Sequence, residues 1–252
     1  MEAGAEAVGT AREVAAQADV VFGMVSDPDA ALAIAGGPDG VAAGLTSGKG
    51  YVDVSTVDAA TARAVEALVA ASGAAYLEAP VSGSKGPAEN GQLIFLCGGD
   101  EALFKSIKDS ALDVMGKASF FLGACGRGAQ MKLVVNMVMG TWMASLSEGM
   151  HLADAAGLDA ATLTEVLGLG AMACPMIALK APIMATADGT SPYPAAFPLK
   201  HQQKDLRLAL ALGDETSRSM PVAAAAMQQY VRASARGRGE EDFAAVHEAG
   251  RE

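Results

Sequence analysis

Asp19-Val20-Val21-Phe22-Gly23-Met24-Val25-Ser26-Asp27-Pro28 is the stretch that decides the fold. After the opening aspartate it is apolar without a break up to Val25, the pattern of a strand covered on both faces. Ser26-Asp27-Pro28 then predicts a helix start, with a side chain to cap the free N–H groups and a proline suited to the first turn. Working outward, Tyr51-Val52-Asp53-Val54 reads as the next strand. Ser55-Thr56 follows it, then a helix over residues 58–72 whose Ala62, Val65, Leu68 and Val69 form an apolar stripe. Ala75-Tyr76-Leu77-Glu78 and Gln92-Leu93-Ile94-Phe95-Leu96-Cys97 add two more strands. Strands separated by helices predict right-handed crossovers and a largely parallel sheet. Ligands of such sheets sit beyond the carboxyl ends of the strands. That rule singles out Val25-Ser26-Asp27, Ser55-Thr56 and Pro80-Val81-Ser82-Gly83-Ser84-Lys85-Gly86.

The pattern changes near Gly123. Beyond it no strand is legible, only helices broken at Gly157, Pro175, residues 192–198 and Pro221. Residues 128–156 run without proline, with Met131, Leu133, Val134, Met137, Trp142 and Leu146 distributed all round. Such a helix is expected to be buried on most sides, against its own domain, a second domain or a second subunit. The chain is therefore read as α/β: a parallel sheet over residues 1–123, then an all-α domain over 124–252.

The composition narrows the class. With 51% hydrophobic and 19% charged residues, the 252-residue chain has too much apolar surface to be disordered. Eighteen Lys and Arg against 29 Asp and Glu leave a net charge of −11, which argues against nucleic acid or an anionic membrane as partner. Cys97, Cys125 and Cys174 lie far apart with no CxxC spacing, as expected in a reducing compartment. No apolar run is long enough to span a bilayer, and the start is acidic where a targeting peptide is basic. The expectation is a soluble, cytoplasmic protein. No metal-ligand spacing and no Ser/His/Asp order stands out.

Three segments could carry chemistry. In the first, Glu78 to Gly91, small residues after a strand let N–H groups converge on an anion such as a carboxylate, and Ser82 adds a hydroxyl; a plain connecting turn explains the same composition. In the second, Gly126-Arg127-Gly128-Ala129-Gln130-Met131-Lys132-Leu133-Val134-Val135-Asn136, Lys132 and Asn136 share a helix face. A lysine on an apolar helix is either desolvated, and so a usable proton donor near neutral pH, or snorkels to water. In the third, Lys200-His201-Gln202-Gln203-Lys204-Asp205-Leu206-Arg207-Leu208, the charged residues are adequately explained as a solvated first helical turn.

Taken in order, Pro80-Val81-Ser82-Gly83-Ser84, then Gly126-x-Gly128-x-x-x-Lys132-x-x-x-Asn136, then Lys204-Asp205-Leu206-x-Leu208-Ala209 resembles the β-hydroxyacid dehydrogenase family, and within it the plant-type NADPH-dependent glyoxylate/succinic semialdehyde reductases. The likeness covers residues 4–245. It implies a Rossmann-type domain ahead of an all-α domain, and NADPH as cofactor with NADH not excluded. By the same resemblance Lys132 donates a proton to an aldehyde oxygen. Ser82 and Gly83 hold the substrate carboxylate, and Asn136 binds substrate beside the lysine. Thr56, Lys204 and Ser26 contact the cofactor, while Phe197 and Asp205 line the site. The partners implied are a small carboxylate-bearing aldehyde and further copies of the chain, associated through the long helix. A sibling acting on 3-hydroxyisobutyrate or tartronate semialdehyde, and a non-catalytic interaction module, are the alternatives.

One departure stands out. The family's GxGxxG turn, which grips the pyrophosphate, occurs nowhere in the chain. The Rossmann-type sheet is accordingly expected to be truncated, with its first βαβ unit missing and residues 19–25 separated from the strand at residues 51–54. The expectation is an inactive fragment of a working enzyme, or else a chain whose missing piece a partner supplies, that binds NADPH weakly or not at all.

Overall fold

The computed structural model describes residues 4–251. In the N-terminal half, α1 (Ala11–Gln17) leads into β1 (Val20–Gly23), then α2 (Pro28–Ala35), α3 (Val41–Gly44), β2 (Gly50–Asp53), α4 (Ala59–Ala70) and β3 (Ala75–Glu78). The predicted starts hold. Asp27 caps α2 by accepting from Ala30 N with Pro28 in the first turn, and Asp58 caps α4 by accepting from Thr61 N. β4 (Val81–Ser82), α5 (Lys85–Glu89), β5 (Leu93–Gly99), α6 (Glu101–Ile107), a π turn, α7 (Asp113–Met115) and β6 (Gly116–Phe121) complete this half.

The sheet runs β1-β2-β3-β5-β4, with β6 paired to β5. β1–β2, β2–β3 and β5–β6 are parallel, whereas β5 is antiparallel to both β3 and β4. β1 lies directly beside β2, from Val20 opposite Gly50 to Gly23 opposite Asp53, so the expected separation of these strands is not observed. The short crossover through α2 and α3 returns the chain to the neighbouring position, as consecutive strands usually do. β6 was not legible as a strand: Gly116-Lys117-Ala118-Ser119-Phe120-Phe121 shows neither alternation nor a continuous apolar run, and its Phe120 stays exposed.

Both sheet faces are covered. Tyr51 and Tyr76 point to one side, into a cluster with Val65, Val69 and Ala129; Val52 and Leu77 point to the other, against Phe95, Phe104 and Leu112. Of the stripe expected on α4, Ala62, Val65 and Val69 are fully buried, but Leu68 sits at the stripe's edge and is exposed.

α8 (Arg127–Ala155) is the long helix, followed by α9 (Ala160–Leu169), α10 (Pro175–Ala185), α11 (Leu199–Glu215), α12 (Pro221–Ala235) and a 3-10 segment, Phe243–Gly250. The chain packs as two compact units, Met1–Val134 and Val135–Glu252, with the division inside α8. The second unit has its own core of Met143, Leu199, Leu206, Tyr230 and Phe243. Among the described residues no helix is long and apolar enough to cross a membrane.

Candidate functional site

Within the first unit, the carboxyl ends of β1 and β2 are tied together. Val25 N donates to Ser55 Oγ at 3.0 Å, and Ser55 N donates to Asp53 Oδ1 at 2.9 Å. The loops carrying Ser26 and Thr56 are thus neighbours, and Ser26 Oγ donates to Asp27 Oδ2 at 2.6 Å. Burial pushes the Asp53 carboxyl above its usual range, while the bonds from Ser55 pull it back. Ser82 lies elsewhere. β4 and β1 end the main path of the sheet, so strand pairing does not bring Ser82 beside Ser26. Ser82 pairs with Ile94 as part of β4, not as part of a free loop. Gly83 follows with φ +128°, and a Cβ there would meet Leu93 and Pro87 at 2.9 and 3.0 Å. Only glycine suits that bend.

The start of α8 is organised by a residue that sequence reasoning did not single out. Glu78, at the carboxyl end of β3 and 2% exposed, accepts from Gly126 N at 2.6 Å and Gly128 N at 2.8 Å through Oε1, and from Ala129 N at 3.2 Å through Oε2. A carboxylate thereby occupies the helix N-terminus, where orphan N–H groups and the helix dipole favour negative charge. The two glycines of the Gly126-x-Gly128 pattern make this possible. Gly126 has φ +96°, and a Cβ on Gly128 would lie 2.2 Å from Leu96 O and 3.2 Å from Glu78 Oε1. Desolvation raises the Glu78 carboxyl to about 7, against the pull of the N–H bonds and Arg63. The signal available in the sequence was an acid closing an otherwise apolar strand.

One turn further along α8 comes Lys132. Its side chain does not snorkel, because the residue is 7% exposed. Asn136, another turn on, is 1% exposed. Within the second unit, Asn136 Nδ2 donates to Asp205 Oδ2 at 2.6 Å, and Lys204 Nζ lies 3.1 Å from Asp205 Oδ1. Lys204 and Asp205 are therefore not in a solvated first turn. α11 begins at Leu199, which places them in its second turn with Asp205 buried. Gln202, fully buried on the same face, donates to Asn136 O at 2.9 Å; a Cβ on Gly140 would come within 2.3 Å of its Nε2. Phe197 belongs to a different group. Its N donates to Asp242 Oδ2, and its ring packs on Phe243 and His201.

These features have counterparts in known proteins. Residues 1–125 match the family model for the NAD binding domain of 6-phosphogluconate dehydrogenase, and residues 126–249 that for the NAD-binding region of NADP-dependent 3-hydroxyisobutyrate dehydrogenase. The Arabidopsis thaliana protein named glyoxylate/succinic semialdehyde reductase 2, chloroplastic, is 51% identical over 246 residues, which are 98% of this chain and 67% of that one. The chain belongs to the β-hydroxyacid dehydrogenase family. A solved 3-hydroxyisobutyrate dehydrogenase from Salmonella typhimurium superposes with a TM-score of 0.85 at 26% identity, over 94% of this chain and 81% of that one. The human cytokine-like nuclear factor N-PAC is 41% identical over 249 residues, covering 99% of this chain but 44% of that protein.

A β-hydroxyacid dehydrogenase uses a nicotinamide cofactor. The donor set after β1 and β2, the hydroxyls of Ser26 and Thr56 on loops tied by Ser55, has the chemistry to meet the hydroxyl and amide groups of a nicotinamide nucleotide. It lacks a glycine turn of the GxGxxG kind for the pyrophosphate.

Proposed function

We propose that this dehydrogenase reduces a short aldehyde carrying a carboxylate, glyoxylate or succinic semialdehyde, to glycolate or 4-hydroxybutyrate, with NADPH as reductant. The observation that carries the reading is Lys132, an amine withdrawn from water on an apolar helix one turn from a buried amide. A reduced nicotinamide supplies hydride to the carbonyl carbon when bound. Lys132 Nζ gives its proton to the carbonyl oxygen, so that charge does not build up there in a site with little water. Asn136 binds the substrate beside it. Ser82 and Gly83 hold the substrate carboxylate and fix which end of the molecule reaches the lysine. Ser26, Thr56 and Lys204 contact the cofactor; Phe197 and Asp205 line the substrate's surroundings.

The same reading makes the protein a homo-oligomer through α8. Met131, Val134, Val135, Val138, Trp142 and Leu152 recur along one strip of that helix and are all exposed in the single chain. A strip of that length and polarity is suited to a second copy. The cytoplasm fits the three free cysteines.

The discriminating assay compares kcat/KM for reduction of glyoxylate, succinic semialdehyde and tartronate semialdehyde, with NADPH and NADH in turn, and for oxidation of 3-hydroxyisobutyrate with NADP+ and NAD+. It is run on this chain and on one extended ahead of Gly4 by a strand–GxGxxG–strand segment. Preference for glyoxylate and succinic semialdehyde with NADPH supports the reading; preference for 3-hydroxyisobutyrate moves the enzyme to the sibling activity. The likeness to N-PAC favours a second reading, a non-catalytic interaction module, which absence of turnover in both chains would support.

A further inference from the structure

The first unit contains a buried acid with no assigned role in the reaction, and it holds the helix that carries Lys132. We propose that Glu78 is a positioning residue, fixing the first turn of α8 from the carboxyl end of β3 and so setting where Lys132 stands. The proposal rests on Lys132 as proton donor for its link to catalysis, but not for its structural part.

The geometry supports it in three ways. First, the Glu78 bonds go to three N–H groups of the α8 start, and Lys132 lies one turn beyond Gly128. Second, the carboxylate is closely surrounded. A Cβ on Gly98 would come within 2.5 Å of Glu78 Oε1, and one on Gly126 would come within 2.8 Å of the Arg63 guanidinium. The carboxylate is thus enclosed by β5 on one side and by the α8 start and α4 on the other. Third, among the described residues no salt bridge to it is formed. The titratable groups around it are Arg63 on α4, Cys125 before α8, Cys97 on β5, Tyr76 on its own strand and Asp53 in register on β2. Of these Arg63 is cationic, and it is exposed. Burial against this sparse compensation is why the carboxyl is raised to about 7.

The consequence is a helix start whose hold depends on pH near neutrality. Ionised, Glu78 offers acceptors to all three N–H groups, and charge strengthens each bond. Protonated, it carries a donor of its own, and one oxygen no longer faces the helix as a free acceptor. Glutamine imitates that state permanently, setting an amide N–H2 group where a carboxylate oxygen stood.

The test uses the full chain without cofactor. Amide exchange is followed at Gly126, Gly128 and Ala129 between pH 5.5 and 8.5, corrected for the intrinsic pH dependence of exchange. The acylation rate of Lys132 relative to exposed lysines is measured alongside. In the wild type, protection at Ala129 should rise about tenfold with a midpoint near pH 7. Glu78→Gln should stay at the low level throughout, with Lys132 acylated about threefold faster or more at pH 8. Glu78→Asp, which keeps the charge on a shorter arm, should recover part of both effects. The wild-type titration needs no substitution, so it decides the matter even if a variant folds poorly. Protection that does not titrate, or Lys132 reactivity equal in wild type and Glu78→Gln, would overturn the proposal. Wild-type turnover in Lys132→Ala would instead remove the donor role from Lys132 and leave the exchange result standing.

Discussion

The buried face of α8 mixes polar with apolar residues, while its exposed face carries an apolar strip. Lys132, Asn136 and Ser147 point inward and are buried, while Met131, Val138, Trp142 and Leu152 point outward into solvent. An ordinary amphipathic helix keeps such polar groups outward, because burying an amine or amide without compensation costs several kcal/mol. The burial of Asn136 is tolerated because it is bonded. Asn136 meets Asp205 and Gln202, and the helix start meets Glu78. The outer apolar residues have no such local explanation, and the proposed association through α8 would supply one. The contrast teaches that polar groups are buried on the inward face at a cost in stability, and that the outward face leaves apolar surface in solvent.

The largest effect should come from breaking the inner face. Asp205→Ala removes a 2.6 Å hydrogen bond to Asn136 and a 3.1 Å ion pair to Lys204, and is expected to lower stability by about 3–5 kcal/mol in urea unfolding. A loss under about 1 kcal/mol would show that this network does not hold the inner face. Next comes the pH dependence of Glu78. Its carboxyl is raised from 4.5 to about 7 on folding, so the unfolded chain ionises first. Its contribution to global stability is therefore full below pH 4.5 and is lost as pH rises through 7, because global unfolding returns the carboxylate to water, whereas local opening of the α8 start leaves it buried without its N–H donors. Between those limits the wild type should lose about 3 kcal/mol relative to Glu78→Gln, whatever the offset between the two. A difference that stays constant with pH would contradict the assignment. Ser82→Ala should raise the KM for glyoxylate about tenfold with a smaller change in kcat, since it removes one hydroxyl from the substrate carboxylate. The smallest effect on folding belongs to the outer face. Val138→Asp should change the stability of the monomer by only about 0.5 kcal/mol, yet shift sedimentation from oligomer to monomer. Unchanged association would move the interface off this strip.

Local signals made much of the fold readable. Asp27-Pro28 and Asp58 are caps whose partners lie three residues on, and β1, β2, β3 and β5 are short apolar runs between breaks. What could not be read depends on distant partners. The adjacency of β1 and β2 is set by how α2 and α3 pack, β4 is two residues long, and β6 gains its strand form from pairing with β5. At the site, Lys132 and Asn136 stood out as polar residues at helical spacing in an apolar helix. Glu78 did not, because its three partners lie 48 to 51 residues away. The solvated-turn reading of Asp205 fails for a related reason: charge beside an apolar stripe normally means solvent, and only the contact with α8 shows it buried.

Replacing the buried amine tests the central claim most directly. Turnover of glyoxylate by Lys132→Ala at saturating NADPH is compared with wild type, with and without added primary amines. A fall in kcat of about a hundredfold or more, partly restored by the amine, is the predicted result. Turnover at the wild-type rate with no amine present would contradict it.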